Sequence, residues 1–374
     1  MKRFLALLFS LCLLLTGCGG RQLEEELLVI VLAVDQTEAG ETKIAVKVPG
    51  SGDGGKEAAE NGGYLLLEAA GHDFADAFTL LNVTTPRKLN FSQVREIVVG
   101  ERAAGSEELP RLLQQIDALP RFRCSAAVIV CRGEADDFAD AQKPYVGQRL
   151  SRYAETSLSN YAGKGFIPET TLCEGVRDMG YGFSDPLFIA GAVNDFARTE
   201  APETDNMLDE TAGELPRKSA NPIEVFGAAA TDGTRVSGYL TGYETALVNL
   251  LKGHGEALTL GWWQGALWSV RPLGPAKLKV DLSQRPALLH VAISCQILYP
   301  PGFPPEEQPA REQLTRDITD VIRRLQALRC DGVGFGDAAA RQFWTVGDWE
   351  ALSWRQVYAE ADVSVDVTVT CRER

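Results

Sequence analysis

Alternation and helical spacing of apolar residues divide this chain into short elements of both kinds. Leu27 to Val34 is a continuous apolar run ending at Asp35. After the turn-forming stretch Gln36 to Gly40, residues Ile44, Val46 and Val48 alternate with Lys43, Ala45 and Lys47. The two runs predict an antiparallel hairpin whose second strand is half exposed. Tyr64 to Ala69 predicts a third strand. Asp73 to Leu81 predicts a helix with Phe74, Ala77, Phe78 and Leu81 along one face, and Val94 to Val99 a strand closed by Gly100-Glu101. A helix over about Glu107 to Leu119, a strand from Ser125 to Cys131 and a helix beginning near Glu134 follow. This alternation points to a mixed α/β first domain.

From Tyr145 to about Arg198 the pattern suggests a small second domain, with a helix over Val146 to Ser159 and turns at Gly163-Lys164-Gly165 and Asp185-Pro186. Thr199 to Leu215, rich in Glu, Asp, Thr and Ala, has the composition of an acidic linker or long surface loop. Ile223 to Ala229 and Arg235 to Leu240 predict two strands joined by the Asp232-Gly233 turn, and Glu244 to Leu251 a helix ended by Gly253. Leu289, Val291, Ile293, Cys295 and Ile297 alternate with polar residues as a strand with one buried face. Arg311 to Arg329 carries Leu314, Ile318, Val321, Ile322, Leu325 and Leu328 at spacings of three and four, the stripe of a long helix lying on a sheet. Val363, Val365, Val367 and Val369 alternate with Ser364, Asp366, Thr368 and Thr370 as the last strand. The expected organisation is a leader over 1–17, an N-terminal α/β domain over 18–143, a middle domain over 144–198, a linker over 199–221 and a C-terminal α/β domain over 222–374. Its sheets are mixed or antiparallel and flanked by helices.

The first residues have a different habit. Lys2 and Arg3 precede an apolar run from Phe4 to Leu15, and Leu15-Thr16-Gly17-Cys18 completes the layout of a bacterial lipoprotein signal. The run falls short of the roughly 20 residues a spanning helix needs, so it is expected to be cleaved. Cys18 then becomes the first mature residue and carries the lipid, two or more chains giving a stable anchor. An ordinary secretory signal with an incidental cysteine is the alternative.

Charge narrows the partners. The chain carries −14 formally, and loss of Lys2 and Arg3 leaves −16, so phosphate backbones and anionic headgroups repel it. Nucleic acid is therefore excluded, and membrane attachment must come from the lipid. With 45% apolar residues the chain can bury a true core.

Candidate chemistry is sparse. Gly50-Ser51-Gly52-Asp53-Gly54-Gly55-Lys56 follows a strand and matches seven positions of a phosphate-binding loop, but Glu57 stands where a Ser or Thr must meet Mg²⁺. It is expected to be a flexible glycine loop. Gly332, Gly334 and Gly336 follow a helix rather than a strand and suit a helix-ending turn better than a dinucleotide fingerprint. His72, His254 and His290 lie on unrelated elements, and adjacent Asp136 and Asp137 point about 100° apart on a helix, which suits a solvated first turn. Trp262, Trp263 and Trp268 are expected in the core or at an interface rather than forming an exposed ligand platform. Exported chains can form disulfides. Cys124 and Cys131, however, sit on opposite faces of one strand-like run, too far apart to bridge each other, and Cys295 and Cys371 suit buried free thiols better than a bond. No catalytic group, cofactor site or metal set is expected.

Several segments, in this order, resemble the Ger(x)C family, the lipoprotein C subunit of spore germinant receptors. They are Cys18, the early strand ending at Asp35, Gly71-His72-Asp73-Phe74-Ala75-Asp76-Ala77, Pro86-Arg87-Lys88-Leu89-Asn90-Phe91 and Arg95-Glu96-Ile97-Val98-Val99-Gly100-Glu101. Val236-Ser237-Gly238-Tyr239-Leu240 with Glu244-Thr245, Asp331-Gly332-Val333-Gly334-Phe335-Gly336, and the helix holding Trp349 and Trp354 extend the resemblance to nearly the whole chain. The resemblance implies a non-catalytic subunit, lipid-anchored on the outer face of the spore inner membrane. It also implies two multi-spanning partners, the A and B subunits. The alternative expectation is a substrate-binding lipoprotein that delivers a small molecule to a membrane transporter.

Overall fold

The computed structural model describes residues 25–50, 63–144, 149–194, 208–218, 221–255, 258–263 and 266–374, with the backbone alone over 259–263 and 266–267. Cys18, the leader and most of the glycine loop at 50–56 lie outside the described residues. In chain order the first elements are β1 (Glu26–Leu28), β2 (Val31–Gln36), β3 (Thr42–Pro49), β4 (Tyr64–Gly71), α1 (Phe74–Thr84), β5 (Lys88–Asn90) and β6 (Glu96–Gly100). Next come α2 (Glu101–Ala104), α3 (Leu109–Asp117), β7 (Ala127–Arg132), α4 (Ala135–Ala141), α5 (Leu150–Gly163), α6 (Leu172–Tyr181) and β8 (Leu187–Val193). The remainder is β9 (Ile223–Thr231), β10 (Val236–Leu240), α7 (Gly242–Lys252), β11 (Leu258–Trp263), β12 (Ala266–Pro272), β13 (Lys277–Asp281), β14 (Leu288–Tyr299), α8 (Glu307–Ala327), α9 (Phe335–Ala340), α10 (Val346–Leu352), α11 (Trp354–Glu360) and β15 (Asp362–Glu373).

An eight-stranded sheet in the order β10-β9-β8-β7-β6-β2-β3-β4 forms the larger part. Its centre, β2, β6, β7 and β8, is parallel, and antiparallel pairs flank it. A parallel centre must be covered on both faces, which is why every residue of β6 is buried and why its sequence does not alternate. On one face Phe74, Leu81, Leu109, Leu113, Ile116 and Leu172 bring α1, α3 and α6 onto the sheet. On the other, Ala135, Phe138 and Leu150 seat α4 and α5. A Cys124–Cys173 disulfide ties the segment before β7 to the first turn of α6, with Cα atoms 5.2 Å apart. Cys295 is buried and Cys371 half-buried, and both are free thiols.

The hydrogen bonds redraw the expected domain limits. β8 belongs to the large sheet, so residues 144–194 supply its cover and one of its strands rather than a separate middle domain. β9 and β10, expected to open the C-terminal domain, extend the same sheet beyond β8. Period-two alternation fixes which face a strand buries but is silent about its neighbour. The second half of the expected linker is also pinned: the buried Glu224 carboxylate accepts from Gly213 N at 2.7 Å and from Arg217 Nε at 2.6 Å, and Ala212 is fully buried.

The smaller sheet is built on β14. On one side β14 pairs with β13 over 288–292 and with β12 over 295–298, and on the other it pairs in parallel with β15 along its whole length. Leu314, Ile318, Val321, Ile322 and Leu325 of α8 are buried against this sheet, the stripe the sequence predicts. Trp268 in β12 is buried, whereas the side chains of Trp262 and Trp263 lie outside the described residues. Helix α7 starts on a Thr241/Glu244 capping box, ends at Gly253 (φ +75°) and is buried from Thr245 to Leu251. A helix apolar on all sides needs cover on all sides, and α7 packs against β9, β11 and α8, joining the two sheets into one core.

Candidate functional site

At the carboxyl ends of the parallel strands, where doubly wound sheets commonly receive an anion on a helix N-terminus, this chain supplies its own. The Asp35 carboxylate, at the end of β2, accepts from Ala135 N at 2.7 Å and Asp136 N at 3.1 Å, the first amides of α4. Burial pushes its pKa up to about 6; the two backbone donors pull it down, and neighbouring Asp136 and Glu134 add to the rise. Gly100, beside it at the end of β6, has no room for a side chain, because a Cβ there would lie 1.9 Å from Asp35 Oδ1. Asp136 is not free in its first turn: it pairs with Lys43.

The other end of α4 receives a cation. Lys47 Nζ, from β3, donates to the carbonyls of Ala139 at 2.5 Å and Gln142 at 2.6 Å, and Gln142 Nε2 donates to Glu96 at 2.7 Å. Burial lowers the Lys47 pKa to about 8 and raises that of Glu96 to about 7. Carboxylate at the N-terminus and ammonium at the C-terminus both complement the helix dipole. A ligand would find both positions filled.

The second constellation joins the two sheets. Asp331, 1% exposed, accepts from the amides of Gly334, Phe335 and Gly336 at 3.0, 2.9 and 2.6 Å and from Trp354 Nε1 at 3.0 Å. Burial raises its pKa to about 6 against these donors. The glycines at 332, 334 and 336 thus shape a carboxylate-centred turn into α9. Gly336 must lack a side chain because a Cβ would lie 2.1 Å from the Phe183 carbonyl oxygen. Asp185, in the turn before β8, exchanges contacts with the same residue: Asp185 N donates to Asp331 O at 3.1 Å, and Asp331 N donates to Asp185 Oδ2 at 2.9 Å. Arg355 closes the set, its Nη2 2.7 Å and Nε 3.2 Å from Asp185 Oδ1.

A groove of about 940 Å³ opens over this junction, walled by Tyr181, Phe183, Arg329, Trp349, Trp354 and Arg355. Its rings form a continuous series: Tyr181–Phe183, Phe183–Trp349, Trp349–Trp354 and Trp354–Tyr358 centroids are 6.3, 5.7, 5.8 and 5.9 Å apart. The series runs from Tyr181, 69% exposed, to Tyr358, fully buried. Val346 also lines the groove, and Trp344, two residues earlier, is 99% exposed. A stack of buried rings that surfaces at Phe183 and Tyr181 beside an arginine suits recognition of another surface.

No convergence of nucleophile and base accompanies it among the described residues. His72 and His254 are exposed on separate elements, and His290 lies 3.6 Å from Asp366 on the outer face of the small sheet. Sequence reasoning identified Trp354 and the Asp185-Pro186 turn but not the Asp185–Asp331–Arg355 contacts, because 146 and 170 residues separate the partners.

A family described as the spore germination protein N-terminal domain matches residues 19–189, and one described as spore germination B3/GerAC like, C-terminal, matches 296–374. The chain belongs to the Ger(x)C family of spore germination proteins. It is 19% identical to the putative spore germination protein YfkR of Bacillus subtilis, over 97% of this chain and 94% of that one. The crystal structure of the GerBC protein superposes with a TM-score of 0.52 at 14% identity, covering 91% of this chain and 96% of the other, which shows a shared fold. Ger(x)C proteins are germinant-receptor subunits and form no known enzyme class. The residues the fold spends most carefully, Asp331 to Gly336 with Trp354, fall inside the C-terminal match.

Proposed function

We propose that this protein is the lipid-anchored C subunit of a nutrient germinant receptor. It is held through Cys18 to the outer face of the spore inner membrane and supports assembly or signalling of the receptor without catalysing a reaction. The observation that carries this reading is the ordered match of the two family domains along the chain, with the Asp331 turn intact. The Cys124–Cys173 disulfide fits an exported body, since such bonds persist in oxidising compartments. The partners are two multi-spanning chains, the A and B subunits, and the aromatic groove over Asp185 is the surface best suited to meet one of them.

Affinity purification of the tagged protein from gently solubilised spore membranes tests the reading. Two multi-spanning chains should be recovered at comparable yield. Recovery of the lipoprotein alone, under conditions that keep other membrane complexes whole, would refute the receptor assignment and favour a free-standing binding protein.

A further inference from the structure

The last strand of the chain ends a sheet without being closed off. β15 runs for twelve residues, Asp362–Glu373, paired in parallel with β14 on one side. Its flanking amides turn to the same side: Asp362 N donates to Ala287 O and Arg374 N to Tyr299 O. No backbone group among the described residues pairs with its outer edge.

Free edges invite pairing with another chain, and folds commonly blunt them with bulges, lysines, prolines or brevity. Three other edges here show such devices: β10 and β11 each carry a register shift, and β13 is five residues long with Lys277 and Lys279 on it; β4, eight residues in unbroken register, shows none of them. β15 has no proline, lysine or bulge, and its register with β14 is unbroken for all twelve pairs.

Its two faces differ. Val367 is buried beneath α8, and Val363, Val365, Val369 and Cys371 pack on the same core but remain half-buried, as residues at an open margin do. The opposite face is polar and, apart from half-buried Ser364, exposed, and its charges are sorted: Asp362 and Asp366 in the first half, Asp366 3.6 Å from His290 of β14, and Arg372 and Arg374 at the end, Arg374 donating to Ser269 of β12. Two such strands laid antiparallel about a two-fold axis at Val369 bring Asp366 of each copy opposite Arg372 of the other, with Thr368 opposite Thr370 and Ser364 opposite Arg374. Residues directly opposite on antiparallel strands share a face, so each opposite-charge pair forms twice. A parallel in-register pairing would instead set Asp against Asp and Arg against Arg.

We infer that the outer edge of β15 is a self-association surface, on which a second copy of this chain adds its own β15 antiparallel to join two small sheets into one. The half-buried valines of one copy then continue the apolar surface of the other, and the occupant is identified by the edge's own charge order. This inference uses the sheet geometry and the order of charges along β15, and stands apart from the receptor assignment.

The test uses two differently tagged copies of the full chain, co-expressed and extracted in mild detergent, with one tag captured and the other measured. Wild-type copies should be recovered together. Asp366→Arg or Arg372→Asp alone turns two attractive pairs into two repulsive ones and should lower recovery about tenfold. The double variant D366R/R372D restores opposite charge and should regain self-pairing, while pairing poorly with wild-type copies. Both positions are exposed, and unchanged thermal melting of each variant shows that loss of pairing is not loss of fold. Absence of wild-type co-recovery overturns the inference, as do single reversals without effect or a double variant that fails to regain pairing. Capture on this edge of a different protein, lost on the same reversals, overturns it too.

Discussion

Arg355 Nη2 lies 2.7 Å from Asp185 Oδ1, joining the turn before the large sheet's last parallel strand to the helix that precedes the chain's final strand. The carboxylate is nearly inaccessible, while the guanidinium side chain is 38% exposed. Removing the arginine therefore strands a buried charge without removing an equal one from water. Arg355→Ala should cost about 2 kcal/mol, at the low end for broken buried pairs because water still reaches the arginine. Adding Asp185→Asn should recover part of that loss. Urea unfolding of the single and double variants checks this; equal losses in both would mean that the pair acts by packing rather than charge.

Gly100 and Asp35 form a second coupled pair. Gly100 has an ordinary φ of −67°, so any penalty at this position comes from the clash of its Cβ with the Asp35 carboxylate and not from backbone conformation. Gly100→Ala is expected to destabilise by about 1–3 kcal/mol. In an Asp35→Ala background the same change should cost far less, giving a coupling of at least about 1 kcal/mol in a double-mutant cycle. Additive effects would refute the steric explanation.

Glu96 and Lys47 set a pH dependence. The folded pKa of Glu96, about 7, lies above its ordinary 4.5, so the native state holds the proton more tightly than the unfolded one. Stability is then greatest below about pH 4.5 on this account and is lost as pH rises through 7. Asp35 and Asp331, each at about 6, contribute in the same direction at lower pH. Lys47, lowered to about 8, acts oppositely and adds stability as pH rises from 8 toward 10.5. Glu96→Gln should flatten the denaturation midpoint between pH 6 and 7. A slope unchanged from wild type would show that another group titrates there.

The disulfide closes a segment with a sequence separation of 49. Cys124→Ala with Cys173→Ala should lower stability by about 2–4 kcal/mol. Reducing agent should reproduce this in the wild type and leave the variant unaffected, as followed by thermal melting with and without reductant.

Cys18→Ala should leave the folded body intact and move the protein from the membrane to the soluble fraction. Fractionation followed by immunodetection decides, and a variant that stays fully membrane-bound would refute the anchor.

Much of this architecture was legible residue by residue. The stripe Leu314 to Leu325 became the buried face of α8, and alternation from Leu289 and from Val363 became β14 and β15. Turn chemistry located the β9–β10 hairpin at Asp232-Gly233 and the end of α7 at Gly253. Sheet membership was not legible, because Ile223 to Leu240 would alternate identically beside β8 or beside β12. The Cys124–Cys173 bond was missed because weighing Cys124 against Cys131 compares residues near in sequence, and the partner lies on the helix that folds back across β7. Asp35 and Asp331 each look like ordinary turn aspartates; what distinguishes them is the set of amides brought to them, from Ala135 in one case and from Gly334 to Gly336 in the other.

The closure at Asp185 also has an order in time. Its arginine partner and the whole of β15 lie within residues 355–374, on the carboxyl side of every strand of the large sheet. A chain made from its amino end can complete the centre of the large sheet while the Asp185 carboxylate still lacks its arginine and β14 lacks its parallel neighbour. Completion of the body is thereby tied to the arrival of residues 355–374, and a product that stops short of Trp354 carries an open seam that a protease can find.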